Sequence, residues 1–342
     1  MTLREAHTLV MGIGLLGIAA LMPERADATT VCSAQASNLN FGSISDTTTT
    51  DATAQIVVTC QTGAISIAGT IYVRMCLNID EGAQGGGLGI TTRRMLNPLN
   101  DSLNFQLYRD SARTLIWGNA LNGSTPLQAD LTYSSLLLGG SSTATFTLYG
   151  RVPLQTGLAT GYYQNNFSGL YTNLQYRYTE PLIGNPGFMP ASCTSGGVGG
   201  GSSVQFPFVA SITVPSTCAI GSIADLDFGS QSGLIDSALN YTTTLNMTCR
   251  YRTAWQVSLD NGQNASGTVR RMYNSTNGQY LTYELYRDAA RTQRWGNTLN
   301  SDTQTGTGTG NMQSLTLYGQ VPGGQTPSSG NYSDLVTVTV TY

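Results

Sequence analysis

Residues 204–214 read "VQFPFVASITV". Val204, Phe206, Phe208, Ala210, Ile212 and Val214 fall on every second position, so an extended backbone places all six on one face. The segment follows the glycine run "GGVGGG" at 196–201 and ends just ahead of Cys218. Two placements are open to it: the last strand of the N-terminal half of the chain, or the first strand of the C-terminal half. Pro207 cannot donate to a ladder, which favours an edge or inserted strand over a central one. The placement decides how many strands each half of the chain owns.

The halves are visible because the chain repeats itself. "LNFQLYRDSARTLIWGN" at 103–119 returns as "LTYELYRDAARTQRWGN" at 281–297. In the same order "LNFGS" (39–43) matches "LDFGS" (226–230), "RRMLN" (93–97) matches "RRMYN" (270–274), and "TLYGRVP" (147–153) matches "TLYGQVP" (316–322). Matching blocks in matching order make two homologous domains, assigned to residues 29–214 and 215–342. The composition, with 40 Gly, 18 Tyr and few charges, is that of short strands joined by polar turns.

In the second copy strands are expected at 226–228, 243–249, 254–260, 279–287, 314–320 and 335–342. An immunoglobulin-like sandwich has at least seven, so this copy is one short. The first copy has equivalents at 39–41, 55–60, 70–76, 104–109, 144–151 and 170–178, and gains a seventh if 204–214 belongs to it. The last stretch, "LVTVTVTY" at 335–342, sets Val336, Val338 and Val340 on one face, and such a strand needs a neighbour or a protected edge.

The first residues carry Arg4, the apolar run "LVMGIGLLGIAALM" at 9–22 and a small-residue stretch ending at Ala28. That pattern reads as a secretory signal peptide over residues 1–28. Export makes the six cysteines readable as disulfides. Cys32 and Cys60 hold the same places in the first copy as Cys218 and Cys249 in the second, which predicts those two pairs. Cys76 and Cys193 occur only in the first copy and are expected to pair with each other, tying down a long loop.

The single histidine, His7, lies in the segment expected to be removed, so neither a Ser-His-Asp arrangement nor a His-containing metal site is available. No catalytic residue, metal or cofactor is expected, and an enzyme is not the expected function. There is no Lys and no basic run, which argues against nucleic acid and anionic membranes as partners. Asp110 with Arg113 and Asp288 with Arg291 recur at one spacing in both copies and are expected to make an ion pair or a turn contact. Trp117 and Trp295 are expected to pack in the cores, and the glycine run 196–201 to serve as a flexible linker.

A cysteine-led domain with the "LNFGS" opening, the "LYRDxARTxxWGN" block, the "TLYGxVP" block and a terminal alternating strand resembles the spore coat protein U domain family. That family includes the subunits of archaic, Csu-type chaperone-usher pili, and a two-domain member resembles their tip adhesins. The resemblance implies two immunoglobulin-like β-sandwich domains, the C-terminal one an incomplete pilin fold lacking its last strand. It implies as partners a periplasmic pilus chaperone, an outer-membrane usher and an adjacent pilin that lends a strand to domain 2. The acceptor edge is then expected at Leu335, Val336, Val338, Val340 and Tyr342. Only Thr29, Thr30 and Val31 separate the expected cleavage point from Cys32, so the subunit is expected to accept a strand without giving one, at the tip of a surface fibre.

The first copy carries three glycine- or proline-rich loops with apolar residues that the second lacks. They hold Leu88 and Ile90; Leu136, Leu137 and Leu138; and Leu182, Ile183, Phe188 and Met189. Either these side chains fold back over the ends of the sandwich, or they are exposed for use. The resemblance implies the second, because Csu-type tip adhesins meet abiotic surfaces through hydrophobic loops. A structural spore-coat or outer-layer protein is the alternative from another class.

Overall fold

The computed structural model describes residues 29–44, 48–64, 68–181 and 187–342. The expected signal peptide and the loop residues Leu182 and Ile183 lie outside that set. Segments rich in Thr, Val and Tyr form strands throughout, and no α-helix occurs among the described residues.

The first copy contains β1 (Thr30–Ala36), β2 (Leu39–Ser43), β3 (Thr50–Thr62), β4 (Gly69–Ile79), β5 (Arg93–Leu96) and β6 (Ser102–Tyr108). It continues with β7 (Leu127–Ser135), β8 (Gly140–Val152), β9 (Gly161–Phe167), β10 (Thr172–Thr179), β11 (Gly199–Val204) and β12 (Phe208–Val214). One sheet runs β1-β3-β8-β6-β5-β9-β12-β2 and the other β11-β10-β4-β7. Ile56, Val58 and Leu148 of the first sheet and Ile71, Val73 and Leu174 of the second share one buried cluster.

The segment 204–214 enters this first sandwich. β12 lies antiparallel to β9, with Phe208 opposite Phe167 and Val214 opposite Gly161, and parallel to β2, with Ala210 opposite Leu39. Phe206, Phe208, Ala210, Ile212 and Val214 are all buried in the same core as Leu39 and Trp117. Burying five apolar side chains at about 1.5–3 kcal/mol for each large one makes this strand a major contributor to the domain. Pro207 falls between β11 and β12, where no ladder needs its missing N–H.

The glycine run is not a free linker. Gly199, Gly200 and Gly201 form part of β11 on the edge of β10. A Cβ at Gly199 would stand 2.4 Å from the Tyr178 hydroxyl, and one at Gly201 2.7 Å from the Tyr176 ring. Only glycine lets the strand pass over those two rings.

The second copy contains β13 (Cys218–Ile223), β14 (Leu239–Cys249), β15 (Ala254–Leu259), β16 (Arg270–Tyr273), β17 (Tyr280–Tyr286), β18 (Gln304–Thr307), β19 (Met312–Val321) and β20 (Val338–Thr341). Its sheets run β13-β14-β19-β17-β16 and β18-β15-β20. Two expected strands differ. Residues 226–228 form no strand: their counterpart in the first copy, β2, pairs with β12, and here no such partner stands beside them. Residues 335–342 do not form one strand either. Ser333 pairs with Tyr273 of one sheet while Val338 pairs with Leu259 of the other, so the chain changes sheets in between. The alternation survives the crossing, with Val336, Val338 and Val340 packed on the core.

The disulfides are Cys32–Cys60, Cys76–Cys193 and Cys218–Cys249. The first and third join residues directly opposite each other on β1/β3 and β13/β14. The second ties the segment after residue 187 to β4.

The repeated blocks serve the same packing twice. Trp117 Nε1 donates to the carbonyl of Leu77 at 2.8 Å, and Trp295 Nε1 to that of Val257 at 2.8 Å. Both indoles are buried. Arg93, wholly buried, donates to the carbonyls of Ile79, Asp80 and Trp117 and to Gln106; Arg270 does the same to Leu259, Asp260 and Trp295 and to Glu284. A planar guanidinium with several donors satisfies three converging carbonyls that would otherwise be buried unpaired. Asp110 and Asp288 make turn contacts: each accepts backbone N–H bonds four and five residues on, from Thr114 and Leu115 and from Thr292 and Gln293. Arg113 and Arg291 instead donate to the carbonyls of Gly150 and Gly319.

The domains meet end to end. Thr160 N–H donates to the Tyr251 carbonyl at 2.9 Å, and Arg252 pairs with Asp101 at 2.7 Å.

Candidate functional sites

The first site is an unfilled place in domain 2, defined by comparison with domain 1. In domain 1, Leu39 and Phe41 of β2 lie over Gly150, whose Cβ would meet both at under 3 Å. In domain 2, Leu226 and Phe228 lie over Gly319 in the same way. The opposite wall is also repeated. Gln164 of β9 pairs with Leu96, and its counterpart Ser333 pairs with Tyr273. Between these walls domain 1 holds β12, and the described residues of domain 2 place no strand there.

The consequences show in burial and in hydrogen bonding. Leu39, Phe41, Tyr163 and Phe167 are buried, whereas Leu226, Phe228, Tyr332 and Val336 are each only partly covered. Domain 1 has a run of rings in contact, Phe41 on Phe105, Phe105 on Phe167 and Phe167 stacked on Phe208 at 4.5 Å. In domain 2 the run is Phe228 on Tyr283 and goes no further in that direction. Among the described residues, Leu226, Asp227 and Phe228 make no backbone-to-backbone hydrogen bond, and neither do Tyr332 and Asp334. Apolar side chains beside unpaired N–H and C=O groups are what an added strand satisfies.

Asp334 sits on this wall. It accepts from the Tyr283 hydroxyl at 2.7 Å and from Asn264 N–H at 3.1 Å. Burial, and then the Asp334 carboxylate, push the Tyr283 phenol well above its ordinary range, so it stays a neutral donor.

Of the acceptor residues expected from the sequence, Leu335 and Val336 adjoin this wall. Val338 and Val340 lie on β20, paired to β15 on one side. The other side of β20 corresponds to the edge of β10 that β11 covers in domain 1. Leu335 and Tyr342 are exposed.

The second site is the end of domain 1 remote from domain 2. The β7–β8 hairpin closes there with reciprocal Leu136 and Gly139 backbone bonds, leaving Leu137 and Leu138 as its two turn residues. Leu136 is 68 % exposed, Leu137 58 % and Leu138 95 %. Gly139, at φ 106, packs so tightly against the Thr62 carbonyl that a side chain would not fit. Ser135 is opposite Gly69, which touches Pro181, so the loop following β10 reaches the same end. Phe188 on that loop is 68 % exposed and Met189 half-buried.

Leu88 and Ile90 do not join them. Their loop follows the other end of β4, an eleven-residue strand, and at about 3.3 Å per residue that is about 30 Å away. Glu81 holds the loop by accepting from the N–H groups of Gly87 and Gly89 at 3.0 and 2.6 Å. Leu88 is exposed, as are two residues the sequence did not single out, Leu121 and Leu170. Both are near Asp80, which binds the Asn122 side chain and the Tyr171 carbonyl.

A family model described as Spore Coat Protein U domain matches residues 18–168 and 204–339. This chain belongs to the Spore Coat Protein U domain family. Among members, Protein U of Myxococcus xanthus is 34 % identical over 143 residues, which is 38 % of this chain and 79 % of that protein. Among solved structures, the chaperone–tip adhesion subunit complex CsuC–CsuE of Acinetobacter baumannii Csu pili is 17 % identical, covering 91 % of this chain and 100 % of that one at a TM-score of 0.42. The CupB6 tip adhesin of Pseudomonas aeruginosa is 10 % identical, covering 90 % and 93 % at a TM-score of 0.30. Two Spore Coat Protein U domains in one chain account for the repeat and for the recurrence of each buried Arg and Trp.

Proposed function

We propose that this chain is the tip adhesin subunit of a chaperone-usher pilus, exported through the periplasm to the cell surface. Domain 1 meets the surface through its distal end, and domain 2 anchors the subunit to the shaft by receiving a strand from the adjacent pilin. The observation that carries the reading is that both walls flanking β12 in domain 1 recur in domain 2 with no strand between them. A periplasmic pilus chaperone occupies that place before the outer-membrane usher passes the subunit on, and the neighbour's strand then replaces it. The acceptor edge runs through Leu335 and Val336, and Val338, Val340 and Tyr342 extend it along the uncovered side of β20.

The exposed leucines of the hairpin tip, with Phe188 behind them, suit contact with an abiotic or host surface of apolar character. A structural outer-layer role is favoured by the family description and by the relationship to Protein U. Immunogold labelling of intact cells separates the two. The adhesin reading predicts gold at fibre ends, lost when the chaperone is deleted; an even coat over the cell or spore contradicts it.

A further inference from the structure

Resting on the open groove of domain 2, we propose that β12 is the donor strand of domain 2, built into domain 1. The join between the two domains is then a covalently fixed copy of the join that domain 2 makes with the next subunit. The partner it accepts is an extended segment patterned like residues 204–214, running antiparallel to residues 330–336 and leading directly into another domain of this family.

Three observations converge. The segment belongs to domain 2 by sequence, since the second family match begins at residue 204, ahead of β12 and Cys218. It belongs to domain 1 by structure, since its apolar face is buried there. It passes from one to the other with only residues 215–217 between β12 and β13, and the Thr217 carbonyl already accepts from Arg250 N–H on the β14 side. The join is clasped at that point, because the Thr160 hydroxyl donates to the Val214 carbonyl at 3.1 Å and meets Ser216 at 3.1 Å. A strand that completes one domain while starting the next is how two successive subunits are linked by strand donation.

The repeat then specifies the occupant position by position. Phe208 stands opposite Phe167, Ala210 opposite Asn165, Ile212 opposite Tyr163 and Val214 opposite Gly161. The corresponding residues of domain 2 are Val336, Asp334, Tyr332 and Gly330, in register with the Ser333–Tyr273 bridge. Ala210 also stands opposite Leu39, whose counterpart is Leu226. The occupant therefore carries a small residue beside Leu226 and Asp334, with large apolar residues at the alternate positions on either side. Pockets at alternate residues of an added strand are what set its specificity.

The test extends the full chain after Tyr342 by a flexible Gly/Ser linker and one of three tails. These are residues 204–214, the same tail carrying Ala210→Leu, and a Thr/Val alternating strand of equal length. Amide exchange is read at Tyr332 and Asp334. The first tail is expected to slow exchange about a hundredfold or more over the untailed chain, and the Ala210→Leu tail about tenfold less than the first. The Thr/Val tail is expected to fall below the first as well. If all three tails protect equally, the groove accepts any strand and the template inference falls while the groove itself stands. If no tail protects these amides, the groove reading falls and the inference with it.

Discussion

Ile212→Asp is expected to unfold domain 1 and leave domain 2 folded. Ile212 is fully buried opposite Tyr163, itself fully buried. The change removes about 2–3 kcal/mol of apolar burial and adds a desolvation cost of several kcal/mol for an unpaired carboxylate. The total, above about 5 kcal/mol, is comparable to the whole stability of an ordinary domain, about 5–15 kcal/mol. Ile212→Val, which removes one methylene, should cost only about 1 kcal/mol. Limited proteolysis followed by mass spectrometry reads the result: fragments from within residues 29–203 should appear rapidly while residues 218–342 persist. If domain 2 is digested first, the segment belongs energetically to domain 2, and β12 is not what holds domain 1 together.

The second large effect concerns the hairpin tip. The combined replacement Leu136→Ser, Leu137→Ser and Leu138→Ser is expected to reduce retention of intact fibres on polystyrene at least about tenfold, because each leucine forfeits up to about 1.5–3 kcal/mol of burial against an apolar surface. Stability should change by no more than about 0.5 kcal/mol per site, since these side chains are already exposed and the turn is held by backbone bonds and Gly139. Assembly should be untouched, since the tip is at the end of domain 1 opposite the join with domain 2. Leu88→Ser, beyond the opposite end of β4, should leave retention unchanged. Equal losses for the tip and for Leu88 would mean that attachment uses overall apolarity and has no distal contact point.

Much of the fold was legible because it is written twice. Cys32 and Cys60 hold the same places in the first copy as Cys218 and Cys249 in the second, so their pairing followed from the repeat. The domain assignment of 204–214 did not follow, because its alternation suits either side and the deciding partners, β9 and β2, are far away in the chain. β9 itself was hidden: "GYYQNNF" places Asn165 at a core position, where no apolar pattern would expect it. Its amide is satisfied there by the carbonyls of Glu81 and Arg94, bonds that only the folded loop supplies. β7 was hidden for a related reason, since only Tyr133 and Ser135 of its nine residues are buried. The glycine run read as a linker because nothing local reveals that Tyr176 and Tyr178 fill the space where side chains would be.

The candidate sites divide in the same way. The exposure of Leu136, Leu137 and Leu138 was legible, since three leucines beside two glycines form an insertion that the second copy lacks. That Leu88 stands apart from the tip loop depends on the length of β4. What the alternation in 335–342 does not reveal is a crossing between sheets, which shows only in the pairing of Ser333 with Tyr273 and of Val338 with Leu259. The buried Arg93 and Arg270 were visible only as repeated letters. Their role appears once three carbonyls are seen converging on each.

The most direct test of the account compares two pairs of amides within the unmodified full chain. Tyr163 and Asn165 line β12 in domain 1, and Tyr332 and Asp334 are their counterparts in domain 2. Residue-resolved hydrogen exchange should find the first pair protected to near the global stability of domain 1 and the second exchanging close to the rate of unstructured chain. Equal strong protection at both pairs would mean that domain 2 already holds a closing strand, and would contradict the claim that it is built to receive one.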